Sequence, residues 1–114
     1  MSPDTIDRTT FGALQEAAGA DFVADLVQTF LDEAPAMLAD LTASLAAGDA
    51  ERFRRVAHSL KSNSNTFGAL GLGAMARELE LSGLERARAT PQALETLARE
   101  YAVVAARLQE MSRG

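Results

Sequence analysis

The chain has one histidine, one lysine, one tyrosine and no cysteine, so any chemistry must be assembled from few reactive groups. The histidine lies in the run Arg52-Phe-Arg-Arg-Val-Ala-His58-Ser-Leu-Lys61-Ser62-Asn-Ser64-Asn65. From Arg52 to Met75 there are four bases and no acid. A neutral imidazole offers a free ring nitrogen as a nucleophile. Neighbouring cations draw anionic groups, phosphoryl groups among them, toward it. Without cysteine there is no disulfide framework, thiolate zinc site, iron–sulfur cluster or thiol nucleophile. A single His with no paired ligand or triad spacing speaks against an independent hydrolase or metalloenzyme, and no metal-binding residues are assigned.

Helical geometry gives the histidine a direction. With Phe53 set to zero and about 100° per residue, Val56, Ala57 and Leu60 fall within about 60° of Phe53 and define an inward stripe. His58 lies about 140° from Phe53, Ser62 about 180° and Asn65 about 120°. The imidazole therefore points to solvent, with a small residue one turn along and Arg54, Arg55 and Lys61 beside it. Taken alone, an exposed histidine on a basic amphipathic helix is ordinary surface.

The elements that hold this helix are legible from periodicity, caps and breakers. Alanine and leucine are abundant, and apolar residues recur at helical spacing. The pattern predicts a short helix over Thr10–Ala18 ending at Gly19. A long one begins near Asp21 as N-cap and places Phe22, Leu26, Phe30, Ala34, Leu38, Leu41 and Leu45 on one face up to Gly48. Pro35 lies inside that pattern and is expected to kink the helix without ending it. Asp49 caps the His58 helix, whose inner face continues to Phe67 before a break at Gly68. A further helix is expected over Gly71–Arg86, through Leu72, Met75, Leu79 and Ser82. Thr90-Pro91 starts the last, with Leu94, Leu97, Tyr101, Val104 and Leu108 inward. Short connections imply an all-α, antiparallel up-and-down four-helix bundle with a short additional N-terminal helix, one domain over residues 1–114.

The 114 residues carry a net charge of −5, distributed unevenly. Residues 1–51 hold one base against ten acids, a net −9, whereas residues 52–114 hold ten bases against six acids, a net +4. The acidity argues against nucleic acid as the main partner. The local basic excess points to an acidic protein surface. The start, Met1 to Asp7, lacks a signal-peptide pattern, and no stretch approaches the ~20 apolar residues of a membrane span. A soluble, cytoplasmic protein is expected, and the initiating Met favours a free-standing chain.

The ordered string His58-Ser-Leu60-Lys61-Ser62-Asn-Ser64, followed by Phe67-Gly68-Ala69 and Leu79-Glu80, resembles the signature of histidine-containing phosphotransfer (HPt) domains. The likeness extends over most of the chain, including Phe30-Leu-Asp-Glu-Ala-Pro35 and the Gly48-Asp49 turn. Many members have Gly where Ser62 stands; Ser keeps the site small. The resemblance implies that His58 takes a phosphoryl group from an aspartyl phosphate on a response-regulator receiver domain and passes it to another receiver. It implies that Lys61 stabilises the phosphoryl charge, Ser62 leaves room beside the imidazole, and Ser64 is a small polar position after it. Gly68 would let the helix finish close to its neighbour. Glu80 would bind the Nδ1 hydrogen and leave Nε2 as nucleophile. The receiver would bring the aspartate and its Mg²⁺, so no bound cofactor and no autonomous kinase activity are expected here.

The expected partners are receiver domains and a hybrid sensor histidine kinase, with the chain itself monomeric. Arg54, Arg55, Ser64, Asn65 and Gly68 are assigned to the docking face. Apolar docking residues are expected on the first helix around Phe11 and Leu14, although Phe11 fits the core equally well. The competing reading is a bundle that docks receivers or kinases without phosphotransfer.

Overall fold

In the computed structural model, which describes residues 5–113, every regular element is a helix. Asp7 caps α1 (Arg8–Ala18), its carboxylate accepting from the Thr10 amide at 3.1 Å. The α2 helix (Ala20–Ala47) follows Gly19 and ends at Gly48 in the left-handed region. Asp21 thus sits in the first turn of α2 and does not cap it. Helical backbone continues on both sides of Pro35. Asp49 caps α3 (Ala50–Thr66), accepting from the Arg52 amide at 3.1 Å. The last two helices are α4 (Leu70–Ala89) and α5 (Gln92–Arg113).

Each helix contributes a stripe to one core. Val23, Val27, Phe30, Ala34 and Leu41 come from α2; Phe53, Ala57 and Leu60 from α3; Leu72, Ala76 and Leu79 from α4; Leu97, Val104 and Leu108 from α5. The Phe30 ring meets Phe67 at 5.5 Å and the edge of Tyr101 at 6.0 Å, joining α2, the end of α3 and α5. Contacts close a circuit in which α2 packs on α3 and α5, and α4 on α3 and α5; the α3–α4 pairing is the most extensive. The α1 helix lies against α2 and the end of α3. No helix among the described residues is long and apolar enough to cross a membrane. The first four residues of the stretch read for a signal pattern lie outside the described residues.

Two further expectations need correction. Phe22 is 55% exposed, and Val23 and Val27 take the inner face at the start of α2. The two registers differ by about 100° and merge at Phe30 and Ala34, so periodicity alone allows either. The other correction is in α4, which runs from Leu70 to Ala89 and is broken at Gly83, where φ is +81° and ψ −179°. That conformation is open to glycine and strongly disfavoured for residues with a Cβ.

Candidate functional site

The site is built where α3 and α4 meet. His58 projects from the middle of α3 with its side chain 56% exposed, and it leans toward α4. There Glu80 Oε2 stands 2.8 Å from His58 Nδ1. The second oxygen of the same carboxylate, Oε1, stands 3.0 Å from Lys61 Nζ. Glu80 therefore bridges two side chains three residues apart on α3, a spacing that puts both on one edge of a helix. The Lys61 ammonium first, and His58 second, hold the Glu80 carboxyl below its ordinary range despite the opposing effect of desolvation. An ionised carboxylate accepts and does not donate, so Nδ1 carries the hydrogen, and in the neutral ring the lone pair is on Nε2. No other hydrogen bond engages the ring among the described residues.

The surroundings are open and charged, with both signs present. His58, Glu80, Glu51, Arg54, Arg55 and Ser59 line a depression of about 260 Å³. Arg54 and Arg55 are exposed and form no ion pair among the described residues. Arg52, by contrast, is held by Asp40 of α2 at 2.6 Å and braces the α2–α3 packing. Ser62 is exposed one turn beyond His58, leaving the approach to the ring unobstructed on that side.

Other residues assigned to the site have different surroundings. Ser64 is fully buried, with its hydroxyl unpartnered, and offers no surface to a partner. The helical wheel gives the reason: Ser64 lies about 20° from Phe53, inside the core stripe. Phe11, 2% exposed, belongs to the core, and Leu14 is half-buried against it. Gly68 is also buried; its carbonyl accepts from the Asp7 amide at 2.8 Å, fastening the start of α1 to the α3–α4 turn. Asn65 is exposed, but its amide lies over Gly73 of α4, where any side chain would overlap it. Lys61 is half-buried, its ammonium set against Glu80. The i,i+3 spacing of His58 and Lys61 was available in the sequence; the α3–α4 register that sets one carboxylate between them was not.

A single exposed imidazole, oriented by a carboxylate and flanked by Arg54 and Arg55, has counterparts among known proteins. The family model for the Hpt domain matches residues 25–113. The chain belongs to the histidine-containing phosphotransfer (Hpt) domain family. Among solved structures, this Hpt domain is similar to histidine-containing phosphotransfer protein B (HptB) from Pseudomonas aeruginosa PAO1. The TM-score is 0.86 at 32% identity, over 98% of this chain and 97% of that one. A search of curated proteins returned no match. The Hpt match begins within α2 and so takes in most of α2 and the other three helices of the contact circuit.

Proposed function

We propose that this Hpt domain is a phosphoryl carrier of a two-component phosphorelay, with His58 Nε2 as the atom that is phosphorylated. The observation that carries the reading is the 2.8 Å contact between His58 Nδ1 and an ionised Glu80, on an imidazole otherwise open to solvent. The Nε2 lone pair attacks the phosphorus of a receiver's aspartyl phosphate. A nitrogen–phosphorus bond forms as the bond from phosphorus to the aspartyl oxygen breaks, and the carboxylate leaves with the electron pair. No proton has to depart. Nδ1 keeps its hydrogen on Glu80, and the positive charge that develops on the ring faces a carboxylate. The reverse reaction, onto a second receiver, uses the same geometry.

Phosphoryl transfer demands mainly positioning and charge stabilisation. The receiver supplies the aspartate and the Mg²⁺ that neutralises its phosphate, and the reading assigns no cofactor to this chain. Lys61 acts first on Glu80, with the phosphoryl oxygens a second destination for its ammonium. The α2–α3–α4–α5 circuit with short connections supports an antiparallel four-helix bundle, with α1 as an additional helix. The same reading makes the chain one monomeric domain working in the cytoplasm with a hybrid sensor histidine kinase and receivers.

Incubation with phosphorylated receivers from the same genome tests the reading. Acid-labile, alkali-resistant label should appear on the wild type and be absent from His58→Gln. Binding of receivers without any label on the wild type would instead make this a docking module.

A further inference from the structure

Glu80 bridges His58 and Lys61 only while α3 and α4 keep one stagger, so whatever fixes that stagger acts on the imidazole. The glycines of α4 differ in what surrounds them. A Cβ at Gly83 would meet nothing within 4 Å, and one at Gly71 would meet Glu100 Oε2 at an ordinary 3.4 Å. At Gly73 it would overlap Asn65 Oδ1 and stand 2.8 Å from Asn65 Cγ. Gly73 is buried and its φ is not positive, so the backbone does not call for glycine there. Glycine inside a helix weakens it relative to alanine. What the missing side chain permits is the approach of Asn65. The place of this contact is informative. Seven residues separate His58 from Asn65 on α3, and seven separate Gly73 from Glu80 on α4. Seven residues make two turns, about 10.5 Å with only about 20° of rotation, so both contacts lie on one seam. Turning the amide about χ2 would not clear a Cβ, because Cγ is itself too near. Clearing it takes a change of χ1, for which a helix leaves few wells, or a shift of α4 against α3.

We infer that Gly73 is a positioning residue: by admitting the Asn65 amide against α4, it sets the stagger that holds Glu80 between His58 and Lys61. For its functional meaning the inference rests on the reading of His58 as the phosphoryl acceptor. A β-carbon at position 73 carries α4 along or away from α3, and the Glu80 carboxylate leaves the 2.8 Å contact with Nδ1. A neutral imidazole without that acceptor can place its hydrogen on either nitrogen. A ring with the hydrogen on Nε2 has no lone pair there to offer phosphorus. Gly73 thus acts on the nucleophile from two turns away, without touching it or its phosphoryl group.

The test uses the intact chain and its single histidine, whose two ring nitrogens give one pair of ¹⁵N resonances. At a pH where the ring is neutral, these distinguish the nitrogen that carries the hydrogen from the one that does not. The wild type should show the hydrogen on Nδ1. Gly73→Ala should move it toward Nε2, as Glu80→Ala does, and slow labelling by a phosphorylated receiver about tenfold. Adding Asn65→Ala removes Oδ1, Cγ and Nδ2, the atoms a Cβ at position 73 would meet. The double variant should therefore recover the wild-type ring pattern and the labelling rate of Asn65→Ala alone. A wild-type ring pattern in folded Gly73→Ala would overturn the inference, and so would a double variant that keeps the altered one. Should Gly73→Ala fail to fold, a folded double variant with the wild-type pattern supports the inference, and one that also fails to fold overturns it. If no phosphorylated receiver labels the wild type, the carrier reading fails, while the ring nitrogens still decide whether Gly73 positions Glu80.

Discussion

Replacing Gly68 by alanine should destabilise the protein by about 2–4 kcal/mol, and the terms can be assigned separately. Gly68 has φ +85°, a left-handed conformation in which an L-residue loses about 1–2 kcal/mol. A Cβ there would stand 2.8 Å from the Asp7 carbonyl oxygen and 3.2 Å from Thr10 Cβ. These atoms belong to the capped start of α1, so relief requires α1 to move. Moving it loosens the Asp7–Gly68 backbone hydrogen bond, worth about 0.5–1.5 kcal/mol, and partly uncovers Ile6 and Phe11. A domain of this size loses roughly 4 °C of Tm per kcal/mol, giving a drop of about 8–16 °C. Gly12 provides the opposite sign. It lies within α1, where a Cβ would meet nothing within 4 Å, so Gly12→Ala should stabilise by about 0.5–1 kcal/mol. Guanidinium unfolding followed by far-UV circular dichroism measures both. Gly68→Ala within about 1 kcal/mol of wild type would refute the clash-and-strain reasoning. Equal effects of the two substitutions would refute it as well.

Three further outcomes follow from the site. The folded pKa of Glu80 lies below its unfolded value of 4.5, so the bridge stabilises fully above that pH and is lost as pH falls through the lowered value. Melting temperatures of wild type and Glu80→Gln should accordingly converge on acidification below pH 4.5; a gap that widens instead would reverse the assigned sign. Ser64→Ala removes a buried hydroxyl without a partner and should be neutral or stabilising by up to about 1 kcal/mol in chemical unfolding, whereas a clear loss would mean the hydroxyl is satisfied in solution. Ser62→Arg places bulk beside the imidazole and should slow receiver-dependent labelling roughly 100-fold while leaving the melt nearly unchanged, and a large stability loss would show that this face is packed.

The parts of the fold that local signals determine were legible in sequence. Asp49 caps α3 because its side chain needs only the amide three residues on, and Gly48 closes α2 by local backbone geometry. The inward stripe of α3 was equally readable, and applied to Ser64 the same wheel places it in the core. The start of α2 was not readable, because Phe22 with Leu26 and Val23 with Val27 offer competing stripes that only tertiary packing separates. Nor was the break at Gly83, since glycine inside a helical pattern is tolerated and no neighbour within 4 Å demands it. For the site, the order of residues around His58 singled out the imidazole that is proposed as the nucleophile. The two contacts of Glu80 depend on how α3 and α4 are staggered, which no spacing along one helix encodes.

That stagger changes what the local excess of bases means. Four bases and no acid lie between Arg52 and Met75, but they do not act alike. Arg52 is matched by Asp40 and fastens α3 to α2; Lys61 is matched by Glu80 and keeps that carboxylate ionised for His58. Arg54 and Arg55 form no ion pair among the described residues and line the depression beside His58. Exposed charges are screened within about 8 Å at physiological salt, so unmatched groups act on a partner only as it nears contact. Their position around the imidazole therefore matters more than the net +4 of residues 52–114. On the proposed carrier reading, orientation of His58 falls to Lys61 acting through Glu80, and recruitment of the anion to Arg54 and Arg55.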